Sequence, residues 1–171
     1  MKNINPKDLS KNVFRLFDDD WCLISAYDKE KQGIKYNAMT ASWGGFGVLW
    51  NKNVFFCFIR PQRYTKEFVD NSDYVTLSFF DESCRKALTL CGRTSGRDGD
   101  KIKNAGLTPV VNDEKYVEFQ EAKMTVVGKK LFCANMKPED FLDKSLIDKN
   151  YPNNDYHSVY VCEITEIKSN E

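Results

Sequence analysis

Histidine is almost missing from this chain: the 171 residues hold one, His157. A single imidazole leaves little from which to build a zinc or non-haem iron site, and no metal ligands are expected. His157 precedes a predicted strand and reads as a satisfied structural or interface residue. The six cysteines, Cys22, Cys57, Cys84, Cys91, Cys133 and Cys162, include no CxxC pair. They read as reduced and mostly buried thiols, Cys91 beside a Gly-rich loop included. An excess of one charge is missing as well, since 25 basic residues balance 25 acidic ones. No global field therefore draws the protein to nucleic acid or anionic lipid, and any anion site has to be local. Long apolar runs are absent. Val54–Ile59 is far too short to span a bilayer, and residues 1–14 carry no signal-peptide core, so a cytoplasmic protein is expected. There is no GxxxxGK[ST] loop, no GxGxxG after a strand and no Gly-x-Ser-x-Gly elbow. The acidic run Asp18, Asp19 and Asp20 reads as solvated surface. Repeats, linkers and low-complexity tracts are also missing, so residues 1–171 are expected to form one domain.

What is present is a series of short β-like segments. A short amphipathic helix around Asn12 to Phe17 precedes a strand at Trp21–Tyr27, a polar turn at Asp28–Gly33 and a hairpin partner at Ile34–Thr40. Val54–Ile59 is unbroken in its apolar character, as suits a strand buried on both faces. Tyr64–Asn71 has a helical pattern, Tyr74–Phe80 is β-branched and aromatic, and Glu82–Leu90 is helical up to Gly92, together a helix-strand-helix insert. A further short helix runs from Asp98 or Gly99 to Gly106. Strands follow at Tyr116–Gln120 and at Lys123–Ala134, with a bend or bulge at Gly128. Pro138–Ile147 reads as a helix. Tyr156–Lys168 alternates, with Val159, Val161 and Ile167 on one face and Tyr160, Cys162 and Ile164 on the other, a pattern that implies burial on both sides, one of them by a partner subunit. The fold class is mainly β with short α insertions, an antiparallel and Greek-key-like barrel.

Three stretches carry chemistry. Asn37-Ala-Met-Thr-Ala-Ser-Trp-Gly-Gly-Phe-Gly47 combines hydroxyls, an indole and three glycines, which suits a loop whose backbone amides approach a flat ligand. A Gly-rich bulge beside a core tryptophan explains that stretch equally well. Arg60-Pro-Gln-Arg-Tyr-Thr65 sets two guanidinium groups and a hydroxyl directly before a helix, where unpaired amides and cations converge on a phosphate-sized spot. Surface arginines in salt bridges are the plain alternative. Gly92-Arg-Thr-Ser-Gly-Arg-Asp-Gly-Asp-Lys101 is another Gly-rich loop with cations and hydroxyls before a helix, a pattern that plain helix caps share.

Taken in order, Thr40-Ala-Ser-Trp-Gly-Gly-Phe-Gly-Val-Leu-Trp50, Arg60-Pro-x-Arg-Tyr-Thr65, Ser78-Phe-Phe80, Cys91-Gly92, Ser95-Gly-Arg-Asp98, Asp100-Lys101 and Ala105-Gly-Leu-Thr-Pro109 resemble the flavin reductase-like, flavoredoxin-type family. The resemblance runs from about Asp20 to the closing His157-x-x-Tyr160-x-x-Glu163-Ile164. It implies an FMN-binding split β-barrel that is a homodimer with the flavin at or near the subunit interface. Two features depart from the family pattern: Cys162 precedes Glu163 where glycine is frequent, and the chain is shorter than members with added redox modules.

The same resemblance places Asn37, Thr40, Ala41, Ser42 and Trp43 around the isoalloxazine and ribityl chain. Arg60, Arg63, Tyr64 and Thr65 take the phosphate side, and Ser95, Arg97 and Lys101 add contacts from the third stretch. It implies a hydride transferred from NADH or NADPH, bound transiently, to the flavin, with an acceptor, a protein partner among the candidates, taking the electrons onward. No catalytic side chain is expected, because the cofactor carries the chemistry. Alternatives are a non-catalytic FMN-binding electron carrier and a haem-binding split barrel, the latter poorly served by a single histidine. FAD in place of FMN stays open.

Overall fold

A computed structural model describes residues 1–170 of the protein. In chain order the elements are β1 (Lys2–Asn3), α1 (Val13–Arg15), β2 (Cys22–Tyr27), β3 (Tyr36–Ala41), β4 (Gly44–Leu49), β5 (Lys52–Ile59), α2 (Thr65–Asn71), β6 (Tyr74–Phe79), α3 (Arg85–Arg93), α4 (Lys101–Asn104), β7 (Pro109–Asn112), β8 (Tyr116–Phe119), β9 (Met124–Asn135), α5 (Ser145–Asn150) and β10 (Ser158–Ser169). The main sheet has the order β3-β2-β6-β9-β10-β5-β4, with β1 added on β10, and β7 and β8 form a separate hairpin. Every pairing is antiparallel. The two outermost strands of the path, β3 and β4, are consecutive in the chain and joined only by Ser42 and Trp43. A seven-strand path whose ends lie two residues apart has to curl on itself, and the sheet becomes a barrel with a corner at Ser42 and Trp43.

The barrel interior is filled by side chains that point the same way on successive strands: Cys22, Ile24 and Ala26 of β2, Phe55, Cys57 and Ile59 of β5, Val75, Leu77 and Phe79 of β6, and Tyr160 and Cys162 of β10. A second core lies outside the barrel wall, where Leu23 of β2 and Ala38 of β3 pack with Leu88 and Cys91 of α3, Ile102 of α4 and Phe119 of β8. Burial on both faces therefore belongs to β2, whose six residues are all buried, and not to Val54–Ile59. On β5 the inward Phe55, Cys57 and Ile59 are sealed while Phe56 and Phe58 are half-exposed, because no element among the described residues covers that face.

Several sequence expectations change in detail. Ala41 to Gly47 is not a loop: β3 and β4 run almost into each other, and Gly44 and Gly45 leave room for the Phe17 and Phe56 rings. The β4–β5 hairpin turns on Trp50 and Asn51, both at positive φ (51° and 58°), the backbone twist that two-residue hairpins favour. Gly92 lies inside α3, which continues to Arg93. Tyr74–Phe79 is no insert, since β6 sits between β2 and β9 in the barrel wall. The segment 138–147 divides into a single turn at Pro138–Asp140 and α5. Ile167 joins the interior with Tyr160 and Cys162, because a register shift between Ile164 and Glu166 inverts the alternation of β10. That shift lies opposite Gly128 and Val127. Cys133 is exposed, whereas Cys22, Cys57, Cys91 and Cys162 are buried and all six thiols are free.

Candidate functional site

The corner between β3 and β4 forms one wall of a cavity of about 350 Å³, lined by Met39, Thr40, Ala41, Ser42, Trp43, Phe58, Arg60, Gln62, Arg63 and His157. Its volume falls within the roughly 300–1,000 Å³ usual for small-molecule sites. Thr40 reaches it from a fixed position: its hydroxyl donates to the Leu88 carbonyl at 2.5 Å, tying the strand end to α3. Trp43 is 47% exposed at the rim and tilts against the His157 ring, with centroids 5.2 Å apart.

A smaller hollow of about 140 Å³ adjoins it through Gln62 and Arg63, and adds Tyr64, Thr65, Arg93, Thr94, Ser95 and Lys101. Arg63 donates to the Gly92 carbonyl at 2.7 Å. Lys101 donates to the carbonyls of Cys91 at 3.1 Å and Thr94 at 3.2 Å. Among the described residues no carboxylate pairs with either cation. Lys101 is only 5% exposed. Burial, opposed in part by Cys91 and reinforced by the Arg63 charge, lowers its pKa to about 8, and burial with the Arg60 charge lowers that of Arg63 as well. Two desolvated like charges without a counter-ion cost free energy that an arriving anion recovers. The buried Asn37 amide donates to Thr65 Oγ1 at 3.0 Å, linking the start of β3 to the start of α2.

The remaining expected cations are engaged elsewhere. Arg60 pairs with Asp155 at 2.6 Å, donates to the Asn150 carbonyl at 2.8 Å and lies over the Tyr151 ring at 5.0 Å. Arg97 pairs with Glu67 at 2.5 Å, donates to the Gln62 carbonyl at 3.3 Å and covers the Tyr64 ring at 4.6 Å. That contact straps the loop 94–100 across the smaller hollow. Ser95 Oγ accepts from the Arg97 amide at 3.2 Å. At the start of α2 the Lys66 and Glu67 amides are committed to the carbonyls of Arg63 and Tyr64, whereas the Tyr64 and Thr65 amides have no backbone partner among the described residues. Charge at this spot comes from the Arg63, Lys101 and Arg93 side chains that line it.

Six lining residues were absent from the sequence-derived set: Met39, Phe58, Gln62 and His157 in the cavity, and Arg93 and Thr94 in the hollow. Met39 and Gln62 sit inside the flagged stretches and had only to be counted with their neighbours. Phe58 and His157 are brought together by the pairing of β5 with β10, where Phe58 opposes Val159, a long-range register that local pattern does not reveal. His157 Nδ1 meets the Tyr151 hydroxyl at 2.8 Å. Burial, helped by the Arg60 charge, lowers the His157 pKa to about 4, so the imidazole is neutral near pH 7. Cys91 is buried with its thiol pushed up, which matches an unreactive structural role.

No protein-family model and no curated relative matches the sequence. Solved structures do. The flavoredoxin of Desulfovibrio vulgaris (Miyazaki F) superposes with a TM-score of 0.67 at 18% identity, over 98% of this chain and 78% of that one. An FMN-binding domain of a flavin reductases-like enzyme from Shewanella baltica OS155 gives 0.66 at 14% identity, over 97% and 75%. This is the split-barrel fold of the flavin reductase-like proteins. An FMN-binding protein from Thermus thermophilus, solved with bound p-hydroxybenzaldehyde, shares the same split barrel, with a TM-score of 0.67 at 15% identity over 100% of this chain and 83% of that one. Identities this low establish the fold alone. No described helix of the split barrel is long and apolar enough to cross a membrane.

Proposed function

We propose that this split barrel is an FMN-binding oxidoreductase that accepts reducing equivalents from NADH or NADPH and passes them to an acceptor. The observation that carries the reading is the junction of a ring-sized cavity with a hollow where Arg63 and Lys101 stand without a carboxylate. FMN is a flat heterocycle joined by a short polyol to a phosphate dianion, and its two ends match those two spaces. Backbone groups of Thr40, Ala41, Ser42 and Trp43 border the ring, with Asn37 holding the floor through Thr65. Arg63, Lys101, Thr65 and Ser95 take the phosphate. Arg60, Tyr64 and Arg97 act one step further out, Arg60 fixing the segment after β5 and Arg97 clamping the loop over Tyr64.

When bound, the isoalloxazine supplies the hydride-accepting centre. The chain's own part is to align the ring, to exclude water with Trp43, Phe58 and Met39, and to hold the phosphate as an anchor. No side-chain base is needed, in keeping with a lone imidazole held neutral.

The same reading makes the protein a single-domain, cytoplasmic homodimer. On the outer face of β5, β10 and β9, Phe56 opposes Val161, which opposes Phe132, and Phe58 opposes Val159, which opposes Ala134. Phe132 is 47% exposed and Trp50, packed edge-on against it, 56%. An apolar sheet face of this kind next to the cavity mouth fits a second copy that closes the site.

A second reading, an FMN-binding electron carrier without direct nicotinamide chemistry, is favoured by the half-exposed Trp43 at the rim, which offers a protein partner a short path to the ring. Steady consumption of NADH or NADPH by the purified protein with added FMN supports the reductase. A bound flavin that only dithionite or a protein reductant bleaches supports the carrier.

A further inference from the structure

The segment 94–100, between α3 and α4, contributes Thr94 and Ser95 to the wall of the hollow that holds Arg63 and Lys101. Its second half borders another hollow, of about 160 Å³, where Gly96, Gly99 and Asp100 meet Tyr36, Asn37 and Phe68. Both ends of the segment are anchored. The Thr94 amide donates to the Leu90 carbonyl at 3.0 Å, and the Thr94 carbonyl accepts from Lys101 at 3.2 Å. At the other end Asp100 caps α4 by accepting from the Lys103 amide at 3.0 Å. In between, the backbone bonds only locally, Asp98 to the Ser95 carbonyl at 3.2 Å and Lys101 to that of Gly99 at 2.9 Å. Among the described residues, every hydrogen bond from residues 95–99 to another part of the fold comes from the Arg97 side chain.

Glu67 holds that side chain at 2.5 Å, and the other oxygen of the same carboxylate takes Lys31, from the turn between β2 and β3, at 2.8 Å. Both cations lie over the Tyr64 ring, Lys31 at 4.9 Å and Arg97 at 4.6 Å from its centroid. One carboxylate on α2 thereby joins the β2–β3 turn, the segment 94–100 and a ring that lines the hollow. The Lys31 ammonium, and then the Arg97 guanidinium, keep the Glu67 carboxyl below the usual carboxylate range, so it is charged at neutral pH. The Glu67 and Arg97 side chains are nevertheless 43% and 47% exposed, and ion pairs in contact with water are weak and screened by salt. Contact is close at one point: a Cβ on Gly96 would come within 2.6 Å of Asn37 Oδ1 and 3.0 Å of Tyr64 Cδ1. Gly99 has a φ of 141°, which glycine adopts readily and other residues do not.

Under this cover Lys101 is 5% and Thr65 1% exposed, so a phosphate that is to touch both has to displace it. We propose that residues 94–100 form a hinged strap that lifts to admit and release a phosphate-bearing flavin, and that Glu67 is its latch, through Arg97 and Lys31. A strap fixed at both ends and fastened in the middle by exposed ion pairs opens far more easily than the barrel beneath it. The latch thereby sets how fast FMN exchanges. The inference rests on the flavin reading for the identity of the anion, and on the strap's own contacts for the rest.

The test measures association and dissociation of FMN by stopped-flow fluorescence with the full chain, in wild type, Glu67→Gln and Arg97→Met, with riboflavin as the phosphate-free probe. Glu67→Gln should speed both association and dissociation of FMN, each roughly three- to tenfold, and change Kd less than about twofold. Loss of the Glu67 charge acting on the phosphate through space alone would speed association and slow dissociation. Slower or unchanged dissociation in Glu67→Gln therefore overturns the inference. Arg97→Met, which unfastens the strap from its own side, should also release FMN faster, and the riboflavin rates should be alike in all three proteins. Riboflavin released faster to the same extent would show a loosened cavity instead of an opened strap, and overturns the inference too. Hydrogen exchange on the cofactor-free protein reads the latch without flavin: the Arg97 and Asp98 amides should exchange faster in both variants, and unchanged exchange there counts against the strap. If wild type takes up no FMN, the flavin reading fails, and the exchange result alone decides whether Glu67 latches the segment.

Discussion

Arg63 and Lys101 reach the same hollow from two different segments and spend their donors on main-chain carbonyls around the end of α3, Gly92 for one, Cys91 and Thr94 for the other. Charge that is gathered, desolvated and left unpaired is an arrangement for an incoming anion. Its pH dependence follows. Lys101 carries a pKa of about 8, below the usual 10.5, so it is charged below pH 8 and loses its charge above. A bound phosphate stabilises the ammonium, so binding takes up a proton above pH 8. FMN affinity should therefore be flat between pH 7 and 8 and fall by up to about tenfold per unit beyond. Fluorescence titrations from pH 7 to 10 measure this. Lys101→Met should weaken FMN about 10- to 100-fold at pH 7 and flatten the profile, whereas an unchanged slope in that variant would take Lys101 out of the phosphate site.

Stability in acid should depend on His157. Its folded-state pKa of about 4 lies below the usual 6.5, so the unfolded chain takes the proton first as pH falls. The contribution is complete above about pH 6.5 and is lost as pH drops towards 4, on the order of 3 kcal/mol over that window. Urea midpoints of wild type should decline across the window more steeply than those of His157→Phe. Parallel declines would mean that the imidazole takes its proton at the same pH in the folded protein as in the unfolded chain.

Gly128, like Gly44 and Gly45, is a point where the barrel wall has no room for a side chain. A Cβ there would run into the Phe55 ring and crowd the Cβ of Cys162, both fully buried in the interior. Gly128→Ala should cost about 1–3 kcal/mol by chemical denaturation, with FMN affinity per folded molecule unchanged. A neutral substitution would mean that β10 can slide at the register shift beside it.

How far the sequence carried depended on the range of the interactions involved. The antiparallel β2–β3 start, the strand at β6, the irregularity beside Gly128 and the fold class follow from local pattern and turn chemistry, and the structure has them. The failures have a common cause. Asn37 to Gly47 read equally well as a ligand-facing loop or a Gly-rich bulge, and local pattern missed that residues 44–47 are a strand, because the Phe17 and Phe56 rings that need the space at Gly44 and Gly45 are set by the fold rather than by adjacent sequence. Ile167 took the wrong face because a bulge cannot be counted from alternation alone. At the site, cations were legible but their partners were not. Arg60 and Arg97 looked equivalent to Arg63 until Asp155 and Glu67 were seen beside them. His157 entered the cavity through strand pairing.

The apolar outer face of β5, β10 and β9 predicts the solution mass. Phe132→Glu places a charge in the middle of the surface expected to be covered by a second copy. Wild type should have the mass of a dimer by light scattering, the variant should shift to monomer at micromolar concentration, and its FMN affinity should drop with it. A monomeric wild type would leave that face to another partner.

The central claim, that Arg63 and Lys101 receive the phosphate of a flavin, is tested most directly by titrating the cofactor-free protein with FMN and with riboflavin, which has the same ring and polyol without the phosphate. The account predicts saturable binding of both at the same cavity, with FMN tighter by about 10- to 100-fold in wild type and the preference erased in Arg63→Met/Lys101→Met. Equal affinities for the two flavins in wild type, or no binding of either, would contradict it.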